Sequence, residues 1–323
     1  MIFDGHSDIW SDVTIRSLKG ESNILTNYHL ERLKQGNIEG SIFVVWVDPP
    51  YTDRPVKRVE EIFKAVEKEL EECQQVKLVK NSGDIVETIK ENKFYIIMGM
   101  EGLSGISPSL DEIDKVYEKG VRHISLTWNE ENEFGTGIQG GSDRGLTAIG
   151  KEAVKKILSK NIILDVSHLN DNSFWDLVKI ADAPIVASHS NARALCSAKR
   201  NLTDEQLKAI KDLDGLVGMN SFNMFVSNNV ERQNLDKFVE HIAYVAEKIG
   251  VEHVGFGFDF FEFLPKNATQ TYSFQESSFT KGLEDCSKVP LLIDKMRNMG
   301  FSEKEIELIS RENWMRIIKN RLG

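Results

Sequence analysis

The sequence predicts an α/β fold, a (β/α)8 TIM barrel with extra C-terminal helices, with residues 1–323 forming one domain. Three observations carry that prediction. Eight short apolar runs alternate with amphipathic stretches, which implies strands joined by crossover helices and therefore a parallel sheet. The runs lack strict polar alternation, as strands buried on both faces do. Side chains capable of metal or proton chemistry collect at the C-terminal ends of the runs, where a barrel keeps its reactive groups. A doubly wound open sheet is the alternative, but it usually places a glycine-rich phosphate loop after its first strand. Here His6-Ser7-Asp8 stands at that point.

In chain order the runs are Ile2–His6, Ile42–Val47, Phe94–Glu101, His123–Thr127, Ile162–Ser167, Ile185–His189, Leu216–Asn220 and Val254–Asp259. Between them, Val56, Val59, Ile62, Phe63, Val66 and Leu70 recur at helical spacing with Glu and Lys filling the gaps. Thr203 followed by Gln206, and Ser302 followed by Glu305, are capping-box patterns that open helices. Leu235–Ile249 and Val289–Met299 read as two further amphipathic helices. A barrel of this type takes about 250 residues. The surplus falls in Ser11–Gly40, in Asn129–Gly145 and in the terminal helices.

Composition narrows the function. The chain is 41% hydrophobic and 28% charged, with a formal net charge of -10 from 50 acidic and 40 basic residues. It carries no basic tract, which argues against nucleic acid as a partner. No apolar run reaches the roughly 18 residues that would suggest a membrane span. The candidate ligands begin at residue 6, so a cleaved leader is not expected. Cys73, Cys196 and Cys286 lie far apart without CxxC spacing and read as reduced, buried thiols of a cytoplasmic protein.

His6 ends the first run and Asp8 follows it, Glu101 ends the third, His168 follows the fifth, His189 ends the sixth and Asp259 the eighth. Three histidines with Asp8 and Glu101 exceed the usual three protein ligands of one catalytic zinc. They suit two ions about 3.5–4 Å apart. On this reading His6 and Asp8 hold one metal, His168 and His189 the other, and Glu101 bridges them. Two cations also compensate the repulsion among Asp8, Glu101 and Asp259. A hydroxide between two metals is a strong nucleophile at neutral pH, and Asp259 suits the role of proton shuttle. His29, His241 and His253 read as structural. His123 opens the fourth run, at the end away from the site, and is given no catalytic role.

These motifs resemble the membrane (renal) dipeptidase family of the amidohydrolase superfamily. The resemblance spans nearly the whole chain. It rests on Asp4-Gly5-His6-Ser7-Asp8, Met100-Glu101-Gly102, Gly120 through Thr127, Leu164 through His168, Ala187 through Ser190, Ala198 through Leu202, Val254 through Asp259, Gly282 through Asp285 and Glu312-Asn313. It implies a zinc-dependent dipeptidase with two Zn2+ per chain, other divalent metals also suiting the ligands. His6, Asp8, Glu101, His168 and His189 would be the ligands, and Asp259 the shuttle. Arg200 would bind the C-terminal carboxylate of a dipeptide substrate, a pairing that suits a guanidinium. L,D-dipeptides are plausible substrates by the same resemblance, and family members are often dimers. The mammalian pattern continues the fourth strand as Leu-Thr-His-Asn, whereas this chain reads Leu126-Thr127-Trp128-Asn129. Either Trp128 or Asn129 replaces the lost donor to substrate, or the loop shifts and the preference changes, or Trp128 walls the pocket. The second acid usual after the last strand is also replaced, since Phe261 follows Phe260. The main alternative is a two-metal amidohydrolase acting on another amide, a lactam, an ester or an N-acyl amino acid.

Overall fold

In a computed structural model, which describes residues 1–269 and 279–323, nine parallel strands form one sheet. They are β1 (Ile2–Ser7), β2 (Ile38–Trp46), β3 (Val76–Leu78), β4 (Phe94–Glu101), β5 (Val121–Ser125), β6 (Ile163–Asp165), β7 (Ile185–Ala187), β8 (Leu216–Met219) and β9 (Val254–Phe256). β1 pairs with both β2 and β9, and β2 pairs directly with β4. Eight strands therefore close into a barrel. The ninth, β3, was not expected from the sequence. It lies outside the ring, paired only to the first residues of β4.

Alternation along the strands separates two cores. Ile42, Val44 and Trp46 of β2, Tyr95 and Ile97 of β4, and Ile163, Val186 and Leu216 belong to the inner cluster. Phe43, Val45, Met98, Met100, Ile124 and Leu164 belong to the outer one, packed against the helices. Glu101 continues the inward series of Tyr95, Ile97 and Gly99, so its carboxyl enters the barrel mouth. The expected helices are present. Leu235–Ile249 forms as read, Val289–Asn298 ends one residue early, and both capping boxes are made. Ser11–Gly40 supplies helices beside the barrel, and the Asn129–Gly145 loop folds back over the end of β6 through Ile138 N–H to His168 O at 2.9 Å.

The strand ends differ from the sequence reading. β6, β7, β8 and β9 stop one to three residues earlier than the apolar runs, and β5 starts two residues earlier than its run. His168 and His189 therefore sit on turns, and Asp259 in irregular chain, just beyond the ladder. His168 and Asp259 adopt left-handed backbone, φ 70° and 60°, a conformation uncommon outside glycine and asparagine. His123 lies in the middle of β5, not at its start.

Candidate metal centre

β1 and β2 fall out of register by one residue between Asp4 and Ser7, a bulge that re-aims the strand. His6 lies in that bulge. Buried Asp4 holds it, with Oδ1 accepting from the His6 amide at 3.3 Å and the Phe258 amide at 2.9 Å. Burial is the main force pushing the Asp4 carboxyl up, to about 7.

The expected ligand side chains converge. Glu101 Oε1 lies 2.9 Å from His168 Nε2 and 3.4 Å from His189 Nε2, while its Oε2 faces His6 Nε2 at 3.7 Å. His6 Nε2 is also 4.0 Å from Asp8 Oδ1 and 3.9 Å from Asp259 Oδ1. Donor atoms of His6, Glu101 and His189 fall within 4.8 Å of one another, as do those of His6, Asp8 and Asp259. Asp259 thus stands among the candidate ligand atoms and not apart from them.

Neighbours fix which nitrogens face inward. Asn129 Oδ1 accepts from His168 Nδ1 at 2.8 Å. Ser188 Oγ donates to Asp165 Oδ2 at 2.5 Å and so accepts from His189 Nδ1 at 2.7 Å. Both Nε2 atoms then carry lone pairs, and they lie 2.8 Å apart. Two lone pairs at that distance repel unless they share a cation. His6 Nε2 and Asp8 Oδ1 are buried and make no hydrogen bond. Burial pushes His6 down to about 3 and His168 and His189 well below the usual imidazole range. The same burial raises Asp8 and Glu101 well above the carboxylate range and Asp259 to about 6. Neutral imidazoles beside crowded carboxyls fit divalent metal, which supplies the charge the site lacks.

The cavity above these groups measures about 280 Å³ and is walled by Trp46, Trp128, Ile138, Phe222, Phe225 and Phe261. Arg200 is its one cation among the described lining residues. The guanidinium is buried, reaches His189 O at 3.2 Å and leaves Nε unpartnered. Asn129 and Trp128 both line the cavity, and Asn129 also accepts from His168 Nδ1.

Several participants were not read from the sequence. Asp165 is fully enclosed and binds His123 Nε2 at 3.1 Å as well as the Ser167 and Ser188 amides. Burial would raise it, but these hydrogen bonds outweigh burial and hold it below the usual range. Asn220 donates to Asp259 Oδ2 at 2.9 Å. A carboxylate inside an apolar run, as in Leu164-Asp165-Val166, was the available signal for Asp165.

The profile of the membrane dipeptidases (peptidase family M19) matches residues 1–321. The chain belongs to the membrane dipeptidase family. An uncharacterized protein from the pqqA 5′ region of Klebsiella pneumoniae is 32% identical over 255 residues, covering 76% of this chain and 89% of that protein. An uncharacterized dipeptidase of Schizosaccharomyces pombe is 28% identical over 349 residues, 98% of this chain and 80% of its own length. Among solved structures, a dipeptidase metallopeptidase aligns over 100% of this chain and 99% of its own with a TM-score of 0.87 at 24% identity. A Rhodobacter sphaeroides metallopeptidase liganded with a phosphinate mimic of L-Ala-D-Ala aligns over 99% of each chain, with a TM-score of 0.86 and 24% identity. These two likenesses bear out the barrel fold. No helix among the described residues is long and apolar enough to cross a membrane.

Proposed function

We propose that the protein is a zinc-dependent dipeptidase that hydrolyses the peptide bond of dipeptides, L,D-dipeptides among them. The observation that carries this reading is the Glu101 carboxylate, with one oxygen toward His168 and His189 and the other toward His6. His6 and Asp8 would hold one ion, His168 and His189 the second, and Glu101 would reach both. Divalent ions held there would activate water as a nucleophile near neutral pH and would polarise the substrate carbonyl.

The chain's own groups do the rest. Arg200 pairs with the free carboxylate and so admits a substrate with a C-terminus one residue beyond the scissile bond. A small cavity with a single guanidinium among its described lining residues suits a dipeptide better than a longer peptide. Asp259, oriented by Asn220, takes a proton and returns it to the leaving amine. The aromatic walls exclude bulk water and strengthen each of these interactions. The R. sphaeroides neighbour's L-Ala-D-Ala mimic supports a D-residue at the C-terminal position.

Turnover of paired L,L- and L,D-dipeptides by zinc-loaded protein tests this, with N-acyl amino acids in the same panel. The parent is expected to cleave dipeptides and to spare the N-acyl compounds. Glu101→Gln should weaken binding of both metals. Asp259→Asn should keep enough metal for measurement and lose at least about 10² in rate. Near-parental rates in Asp259→Asn would remove the shuttle assignment, and cleavage confined to N-acyl amino acids would replace the dipeptidase reading.

A further inference from the structure

A second cavity, about 240 Å³, lies directly beside the first. Its lining includes Val47, Pro55, Ser104 and Glu130. The two cavities share three residues: Trp46, Trp128 and Glu101. The indole rings of Trp46 and Trp128 meet with centroids 5.3 Å apart and planes at 58°. The pair, with Glu101 beside it, therefore stands between the cavities as a partition: Asp8, His168, Asp259 and Arg200 line only the first.

The partition stands on rigid supports. Trp46 is the last residue of β2 and pairs in register with Glu101 of β4. The Trp128 backbone is gripped from both sides. A Cβ at Gly102, whose φ is 78°, would lie 2.8 Å from Trp128 N, and one at Gly137 would lie 2.3 Å from Trp128 O. A wall so placed does not yield easily to a bulky ligand.

Barrel order says which part of a dipeptide meets it. Around the ring the strands run β1, β2, β4, β5, β6, β7, β8, β9. β2, which ends in Trp46, is four strands from β7, after which come His189 and Arg200. The Trp46 side of the mouth is thus across the barrel from Arg200. A dipeptide whose carboxylate is held at Arg200 directs its other end toward the tryptophans.

From this we infer that the Trp46–Trp128 partition sets the size limit for the substrate's N-terminal side chain. Compact residues such as Ala fit in front of it. Longer apolar ones such as Leu and Met are refused, although a chamber able to hold them lies behind. This rests on the dipeptidase reading and names the substrate class within it.

The experiment uses zinc-loaded full-length protein, with metal content measured on every sample. kcat/KM is determined for Xaa-D-Ala with Xaa as Ala, Val, Leu or Met, and for Ala-D-Xaa with the same set. Binding of phosphinate mimics of Ala-Ala and Leu-Ala is followed in parallel by calorimetry. In the parent, kcat/KM should fall as the N-terminal side chain lengthens. Trp128→Ala, Trp46→Ala and the milder Trp128→Phe should each raise the Leu-to-Ala ratio at the N-terminal position, the alanine variants by about tenfold or more, the scale on which apolar pockets discriminate. The C-terminal series should keep its order, and the phosphinate affinities should shift in the same ratio. An N-terminal ratio unchanged within twofold in all three variants overturns the partition. A response confined to the C-terminal series overturns the orientation. If the metal-loaded parent cleaves no dipeptide and binds neither phosphinate, the dipeptidase reading itself fails and takes this inference with it.

Discussion

Asp165 shows how much of the candidate centre depends on groups that never face the cavity. Its carboxylate collects His123, the Ser188 hydroxyl and two backbone amides, and those bonds keep it ionised despite complete burial. Through Ser188 it dictates that His189 carries its proton on Nδ1 and offers Nε2 inward. Asn129 does the same for His168 with a neutral amide. Partners of this kind raise the basicity of an imidazole and fix its ring, and their loss typically costs about 10–100-fold in metal affinity. Asp165→Asn should lower zinc affinity by that order while circular dichroism stays unchanged, with chelator competition as the measurement. An unaltered zinc Kd in a folded Asp165→Asn protein would show that His189 is oriented by packing alone. The inward-facing residues were legible because each ends or follows an apolar run. Asp165 and Ser188 were not, because spacing along one run does not reveal a bond to the next.

Among elements, the two helices given bounds from the sequence form within a residue of those bounds, whereas the strands do not. Leu235–Ile249 has an apolar stripe and an Asn234 cap whose side chain accepts from the Lys237 amide. Such local signals fix a helix by themselves. A strand in a parallel barrel ends where its ladder ends, which depends on its neighbours. Apolar character in Val254–Asp259 continues through Phe258, two residues past the last residue of β9. β3 is too short, and broken by Lys77, to register as a buried run. The β1 bulge has no sequence mark, since it is defined only against β2. The same 235–249 helix carries His241, fully buried, accepting from the Ala192 amide at 3.2 Å and donating to Val226 O at 2.9 Å. It ties the loop after β7 to the loop after β8. Burial is the main cause lowering it to about 4, and nearby Lys237 adds to that. The Val226 carbonyl and Glu240 partly oppose the shift. Well above pH 6.5 the imidazole is neutral in both the folded and unfolded chain and contributes no pH dependence. Between 6.5 and about 4 the unfolded chain gains a proton that the folded chain refuses, so stability falls with falling pH. His241→Gln should flatten that part of the unfolding free energy between pH 6.5 and 5 relative to the parent, as read by urea titration at each pH. An equal slope in both proteins would place the acid sensitivity elsewhere.

At the scale of the whole molecule, the two ends of the barrel divide the work. The upper end gathers the polar side chains, and the lower end is sealed by the C-terminal helix, Asn313–Leu322. Trp314 is fully buried there, with Nε1 donating to Phe256 O at 2.8 Å and its ring 5.5 Å from Phe3. Asn313 binds the Val251 and Val254 carbonyls, each at 2.7 Å. The Ser302 capping box announces terminal helices, but the separate helix Asn313–Leu322 and its role as a plug have no mark in the sequence. That role rests on contacts spanning the full chain. Gly5 and Gly255 make room for the indole, since a Cβ on Gly5 would lie 2.1 Å from the Trp314 ring and one on Gly255 would lie 2.7 Å from its Nε1. Gly5 precedes His6, so the plug also bears on the bulge that presents the first candidate ligand. Trp314→Ala removes a large buried side chain and should cost about 3–5 kcal/mol of stability. Gly5→Ala should cost about 1–3 kcal/mol by overpacking against the indole. Because the two changes share one space, the double variant should be more stable than the sum of the single losses predicts, by about 0.5–3 kcal/mol. Urea denaturation of the four proteins closes this cycle. Simple additivity would mean that Gly5 is required by the backbone at Phe256, 2.9 Å from the same Cβ position, and not by the tryptophan plug.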